Sequence, residues 1–126
     1  MARPNAAATR DRLRAFALDL PDAVEDHPWG DDVIKTNGGR KIFLFLGGDD
    51  PDRRPSIGVK LADSHEQALG VPGVEPSGYG LGRSGWVVVP LGDGAPPVAV
   101  LEDWVEESYR LVALKRNVRA LDERSA

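Results

Sequence analysis

The segment Asp32–Leu46 constrains this fold more than any other part of the chain. Asn37-Gly38-Gly39 sits between two apolar runs, and Asn and Gly accept the positive φ that a tight hairpin turn requires. Asp32–Thr36 and Lys41–Leu46 therefore read as adjacent antiparallel strands. The second is apolar enough to be buried on both faces or central in its sheet. Further strands are expected at Ser56–Leu61 and Trp86–Leu91.

Helical spacing brackets these strands. Leu13, Phe16, Ala17 and Leu20 form one apolar stripe near the start. Asn5 or Thr9 can cap that helix, and Pro21 ends it, because the residue before a proline is pushed out of the α region. Arg10 and Arg14 lie four apart, off the stripe. Asp63 and Glu66 have the spacing of a capping box and open a short helix that Gly70 or Pro72 closes. The last element reads as one long helix entered at Pro97, with Leu101, Trp104, Val105, Ser108, Leu111 and Val112 facing inward. Asp103, Glu106 and Glu107 lie early in it, and Arg110, Lys115, Arg116 and Arg119 late, an order that complements the helix dipole.

The connections are turn-rich. Glu25–Gly30 reads as a polar turn holding Trp29, and Gly47–Pro55 carries Asp49, Asp50 and Asp52. Gly70–Gly85 is dense in glycine, with a short extended piece expected at Tyr79–Leu81. Neither a repeat nor a linker divides the 126 residues, so 1–126 is expected to be one domain. Strands in a run, joined by a tight turn and bracketed by helices, predict an α+β fold. It is a mostly antiparallel sheet with the N- and C-terminal helices packed on one face.

Charge bears on function. Lysine and arginine number 16 and aspartate and glutamate 20, so net charge is 16 − 20 = −4. A dedicated nucleic-acid binder usually carries a basic patch, since phosphate neutralisation supplies most of its affinity. DNA binding by this chain therefore requires a local convergence of cations. The chain has no cysteine, which excludes disulfides, thiolate metal sites and a cysteine nucleophile. No apolar run reaches the ~18 residues of a membrane span, and Met1–Ala8 lacks the apolar core of a signal peptide. No membrane association is expected, and cytoplasmic is the default location.

An ordered set of short motifs spans the chain. Leu20-Pro21 follows the first helix, then come Glu25, Pro28-Trp29-Gly30, Ile34-Lys35, Lys41-Ile42-Phe43 and Val59-Lys60-Leu61. Gly78-Tyr79 leads through Arg83 to Trp86-Val87, and Ser108-Tyr109, Leu111-Val112 and Lys115 lie in the last helix. From about residue 10 to about residue 116, this set resembles the MmcQ/YjbR family. The resemblance implies a fold similar to that of frataxin and CyaY, sometimes described as a double-wing DNA-binding motif. It implies a role at DNA and no reaction. Many members carry a His after the Tyr of the glycine loop and an Asn two residues later, where this chain has Gly80 and Gly82.

Several constellations compete with bland readings. Gly80–Gly85 matches G-x-G-x-x-G, but a strand follows it where a dinucleotide site needs a helix. His27 with Glu25, Asp26, Asp31 and Asp32 has the residue types of a hard-cation site, yet a solvated acidic turn is the better reading, so neither metal nor cofactor is expected. His65 reads as a surface histidine outside any catalytic triad, and no carboxylate pair is singled out for acid–base work, so the chain reads as non-enzymatic. Trp86 and Trp104 suit core packing, and Trp29 suits either packing or an exposed stacking platform.

The cations decide the preferred function. Lys35, Arg40 and Lys41 flank the hairpin turn, Lys60 ends a strand and Arg83 sits in the glycine loop. Projecting from one side, they would form two basic wings straddling a DNA backbone. Arg10 and Arg14 would pool with Arg110, Lys115, Arg116 and Arg119 if the terminal helices pack together. The alternative functions are a module binding a protein or small ligand through Trp29, Tyr79, Gly80 and Gly82, and frataxin-like cation binding.

Overall fold

A computed structural model describes residues 5–47, 54–78 and 80–124, and of Trp29 the backbone only. The helices are α1 (Ala6–Leu18), α2 (His65–Leu69), α3 (Val98–Val112) and α4 (Lys115–Arg124). The strands are β1 (Val24–Asp26), β2 (Asp32–Thr36), β3 (Lys41–Gly47), β4 (Ser56–Lys60), β5 (Glu75–Pro76) and β6 (Trp86–Pro90). They form one six-stranded sheet in the order β1-β2-β3-β4-β6-β5, every neighbouring pair antiparallel. The α+β class and the antiparallel sheet are those read from the sequence.

One core lies between the sheet and the helices. Leu13 and Ala17 of α1, Ala68 of α2, Leu101, Trp104, Val105 and Tyr109 of α3, and Leu121 of α4 meet Ile34, Leu44, Leu46, Ile57, Val59, Val87 and Val89. Each large aliphatic chain buried this way contributes about 1.5–3 kcal/mol. A bulge tunes β3 to the helix above it. Ile34 pairs with Leu44 and Lys35 with Ile42, so Phe43 is the extra residue, and both Phe43 and Leu44 are buried. Phe43 then meets Tyr109 edge to face, ring centroids 5.1 Å apart.

Ser108 enters the sheet itself. The pairing of Phe45 with Gly58 sets a register that would bring Phe43 opposite Lys60. There the Ser108 hydroxyl accepts from the Lys60 N–H at 2.9 Å and donates to the Phe43 carbonyl at 2.5 Å. One buried hydroxyl thus replaces a ladder hydrogen bond and pins α3 to the two central strands.

Local details depart from the sequence expectations where partners decide them. Val24–Asp26, expected within or beside a polar turn, is an edge strand paired to Val33–Lys35. Its three residues are too few and too polar to show alternation. The capping box at Asp63 and Glu66 does not form. Ser64 takes the cap position without a side-chain bond to the helix, and its hydroxyl and N–H bond to Glu107 of α3 instead. The extended piece in the glycine-rich segment is Glu75–Pro76, and Leu81–Ser84 is a 3-10 turn. Tyr79, and Asp49, Asp50 and Asp52, lie outside the described residues.

The long last helix is two helices. Ala113 adopts extended backbone with ψ 147°, and the Leu114 carbonyl accepts the first hydrogen bonds of α4. Leu111, expected inward, is exposed at 43%. The break also moves Lys115 and Arg116 from the favourable end of one helix dipole to the unfavourable end of another.

Candidate nucleic-acid interface

The β2–β3 turn is a fixed part of the domain. Asn37 takes φ 60° and Gly38 φ 70°, as a tight hairpin requires. The Asn37 amide donates from Nδ2 to the Val112 carbonyl at 3.1 Å and accepts at Oδ1 from the Leu114 N–H at 2.9 Å. The turn therefore caps the end of α3 and the start of α4 together. On the other side, the Gly38 N–H donates to Asp22 Oδ2 at 2.7 Å.

This docking assembles a basic hollow that sequence spacing does not show. Asn37, Gly38, Arg40, Lys41, Leu114 and Arg116 line a space of about 290 Å³. Arg40, Lys41 and Arg116 are all exposed. Among the described residues, no carboxylate pairs with any of the three. Arg116 was grouped by sequence with the terminal-helix cations, and only the helix break brings it to the hairpin.

The other sequence-predicted cations divide. Lys35 is engaged: its Nζ donates to Asp26 Oδ2 at 2.6 Å, and that bond holds the Asp26 carboxyl below its ordinary pKa. Lys60 pairs with Trp86 across β4 and β6, so both side chains share one face with Gly58 and Val88, opposite the core residues Val59 and Val87. Phe45 packs there too, 5.3 Å from the Trp86 ring. Arg83 is exposed on the 3-10 turn just before β6. Because Thr36 pairs with Lys41 and Lys60 with Trp86, the hairpin turn and the Arg83 turn occupy the same end of the sheet. Strands β3 and β6 are two spacings apart there, on the order of 10 Å.

The expected pooling of the terminal-helix arginines does not occur. Arg10 is 9% exposed and reaches into the sheet, donating to the Leu46 carbonyl at 2.8 Å and to Asp32 Oδ2 at 2.6 Å. Arg14 contacts Asp32 at 3.0 Å and Glu25 at 3.3 Å. Arg110 contacts Glu106 at 3.1 Å and Asp122 at 2.8 Å. Carboxylates supplied by tertiary neighbours neutralise all three.

The acidic turn is likewise reorganised. Glu25, His27 and Asp32 each bring one ligand-type atom within 4.8 Å of the others, while Asp26 turns to Lys35. His27 Nδ1 lies 2.6 Å from Asp32 Oδ1. Burial raises the Asp32 pKa, but hydrogen bonds and charge from Arg10 and His27 together outweigh it and leave the carboxyl below its ordinary value. Arg10 and Arg14 already balance the two carboxylates, so a divalent ion here would meet two resident cations.

The glycine segment serves packing first. A Cβ on Gly85 would stand 2.5 Å from the Leu61 carbonyl oxygen, and one on Gly82 would stand 2.9 Å from that of Ser77. Gly80 has φ +80° and open space around it. No helix follows this segment; β6 does, as expected. Trp86 is 8% exposed and Trp104 2%, both packed. His65 departs from a surface histidine: it is half-buried, and its buried Nε2 has no hydrogen-bond partner among the described residues.

Comparison with known proteins places this geometry. The family profile described as YjbR matches residues 18–111. The chain belongs to the YjbR family. Among solved structures, it is similar to the Deinococcus radiodurans protein DR2400, of the domain class DUF419, with a TM-score of 0.66 and 25% identity over 80% of this chain and 75% of that one. It also shares its fold with a Pseudomonas syringae protein, with a TM-score of 0.62 and 21% identity over 81% of this chain and 97% of that one. The comparison with curated proteins gave no match. Among the described residues of this YjbR-family chain, no helix is long and apolar enough to cross a membrane.

Proposed function

We propose that this YjbR-family protein is a non-enzymatic DNA-binding domain that grips the sugar–phosphate backbone with the end of its sheet where the hairpin turn lies. The observation that carries this reading is the convergence of Arg40, Lys41 and Arg116, none of them paired with a carboxylate among the described residues. Lys60 and Arg83 lie at the same end of the sheet and offer two further cations there, Lys60 on the face turned away from the core. Lys35 is left to its ion pair with Asp26.

The rest of the surface limits how DNA can approach. Asp63, Asp103, Glu106 and Glu107 line a neighbouring groove on α3, where only Arg110 is basic. This groove follows Lys60 at the same end of the sheet and repels a polyanion on the α3 side of it, so contact is confined and weak, and backbone contacts carry no sequence preference. A cytoplasmic location fits this role. The cation-binding alternative has less support, because Arg10 and Arg14 occupy the electrostatic role an ion would take.

Fluorescence anisotropy on a labelled duplex tests the proposal. Three to five phosphate contacts predict a log–log salt slope of roughly −3 to −4.5. Absence of binding at low salt, or binding indifferent to salt, would reject it.

A further inference from the structure

We infer that the hollow between the hairpin turn and the start of α4 is a phosphate site, holding one phosphoryl group between Arg40, Lys41 and Arg116. This rests on the DNA-binding reading and deepens it by naming the group recognised and the residues that hold it.

Like charges do not gather in a folded protein without cost. At Arg10, Arg14, Lys35 and Arg110 the cost is removed locally, each having a carboxylate within 4.0 Å. Around the hollow, no carboxylate pairs with Arg40, Lys41 or Arg116 among the described residues. The Asp22 carboxylate reaches the turn but accepts from the Gly38 N–H, and it pairs with none of the three cations among the described residues. The first turn of α4 adds to the imbalance. It contains no acidic residue and begins with Lys115 and Arg116, cations at the positive end of a helix dipole. An anion in the hollow relieves both repulsions at once.

The shape suits a phosphoryl group. Two guanidinium forks offer planar paired donors, and Lys41 adds a point charge. The Lys115 and Arg116 N–H groups precede the first intrahelical bonds, which Asn117 and Val118 make to the Leu114 carbonyl, so both remain available as donors. The wall is set in advance, because Asn37 fixes Leu114 and accepts from Asn117 at 3.2 Å. A phosphodiester in a duplex and a free phosphate ion share this chemistry.

The full-length chain, isotopically labelled, separates them. Inorganic phosphate should shift the amide resonances of Gly38, Lys115 and Arg116, with chloride at equal ionic strength as the control. On duplex DNA, Arg116→Ala should make the salt slope shallower by about 0.9. Arg119→Ala, on an exposed residue outside the hollow, should leave the slope unchanged. Arg116 is exposed and has no partner among the described residues, so its removal leaves the fold intact. If DNA binds but Arg116→Ala and Arg40→Ala both keep the wild-type slope, the hollow is not the contact and the broader DNA reading stands alone. If phosphate shifts those resonances but no duplex binds, the phosphate site stands and the DNA reading falls. If phosphate shifts nothing while polyglutamate does, the site is one for acidic peptide and the inference is overturned.

Discussion

Asn117 of α4 donates its side-chain amide to Oδ1 of Asn37 at 3.2 Å, a link spanning 80 positions of sequence. Both residues are 8% exposed. The same Asn37 oxygen accepts the Leu114 N–H, and Asn37 Nδ2 reaches the Val112 carbonyl. The hairpin turn and the helix break are thus one structure held by one amide.

That amide can be tested apart from the turn it sits in. Asn37→Gly retains the positive φ but removes every side-chain bond. It leaves the half-buried ends of two helices unsatisfied, and is expected to cost about 2 kcal/mol. Asn37→Ala adds left-handed strain and should cost roughly 1 kcal/mol more. Urea denaturation of both variants measures the two contributions. A glycine variant as stable as wild type would show that the break is capped by other means.

Close approach at Gly85 gives a second expectation. Gly85→Ala places Cβ against the Leu61 backbone at a φ of +96°, and no flexible side chain stands there to yield. The expected loss is about 2–4 kcal/mol. Gly80→Ala has a similar φ but meets nothing within 4 Å, and should cost only about 1 kcal/mol. Thermal melts that rank the two variants equally would contradict the packing role assigned to Gly85.

Acid sensitivity should trace in part to Asp32. Its folded pKa lies below the ordinary value of 3.8, so its contribution to stability is complete above that value and is lost as pH falls through the folded one. Asp32→Asn leaves Arg10 charged and mostly buried, with an expected cost of about 2–3 kcal/mol at pH 7. The gap between wild type and variant should narrow below about pH 4. Urea titrations from pH 7 downward check this, and a gap independent of pH would remove Asp32 from the account.

Residue chemistry alone settled the elements whose causes are local. The Asn37-Gly38 turn, the buried strand Lys41–Leu46, the stripe on α1 and the inward row on α3 from Leu101 to Ser108 follow from positive φ and from the period of apolar side chains. Partner-dependent features were out of reach. Glu107 displaced the Asp63 capping box, Ser108 broke into the β3–β4 ladder, and Asn37 stabilised a helix break that the apolar period ran straight through. The same division holds for the cations. Sequence gave their number and neighbours, but whether a charge stays free depends on which carboxylate the fold brings within a few ångströms. Coulomb attraction falls with distance in space, and sequence separation does not enter it. Arg10, Arg14 and Lys35 were neutralised by that rule, and Arg40, Lys41 and Arg116 were brought together with no carboxylate paired to them among the described residues.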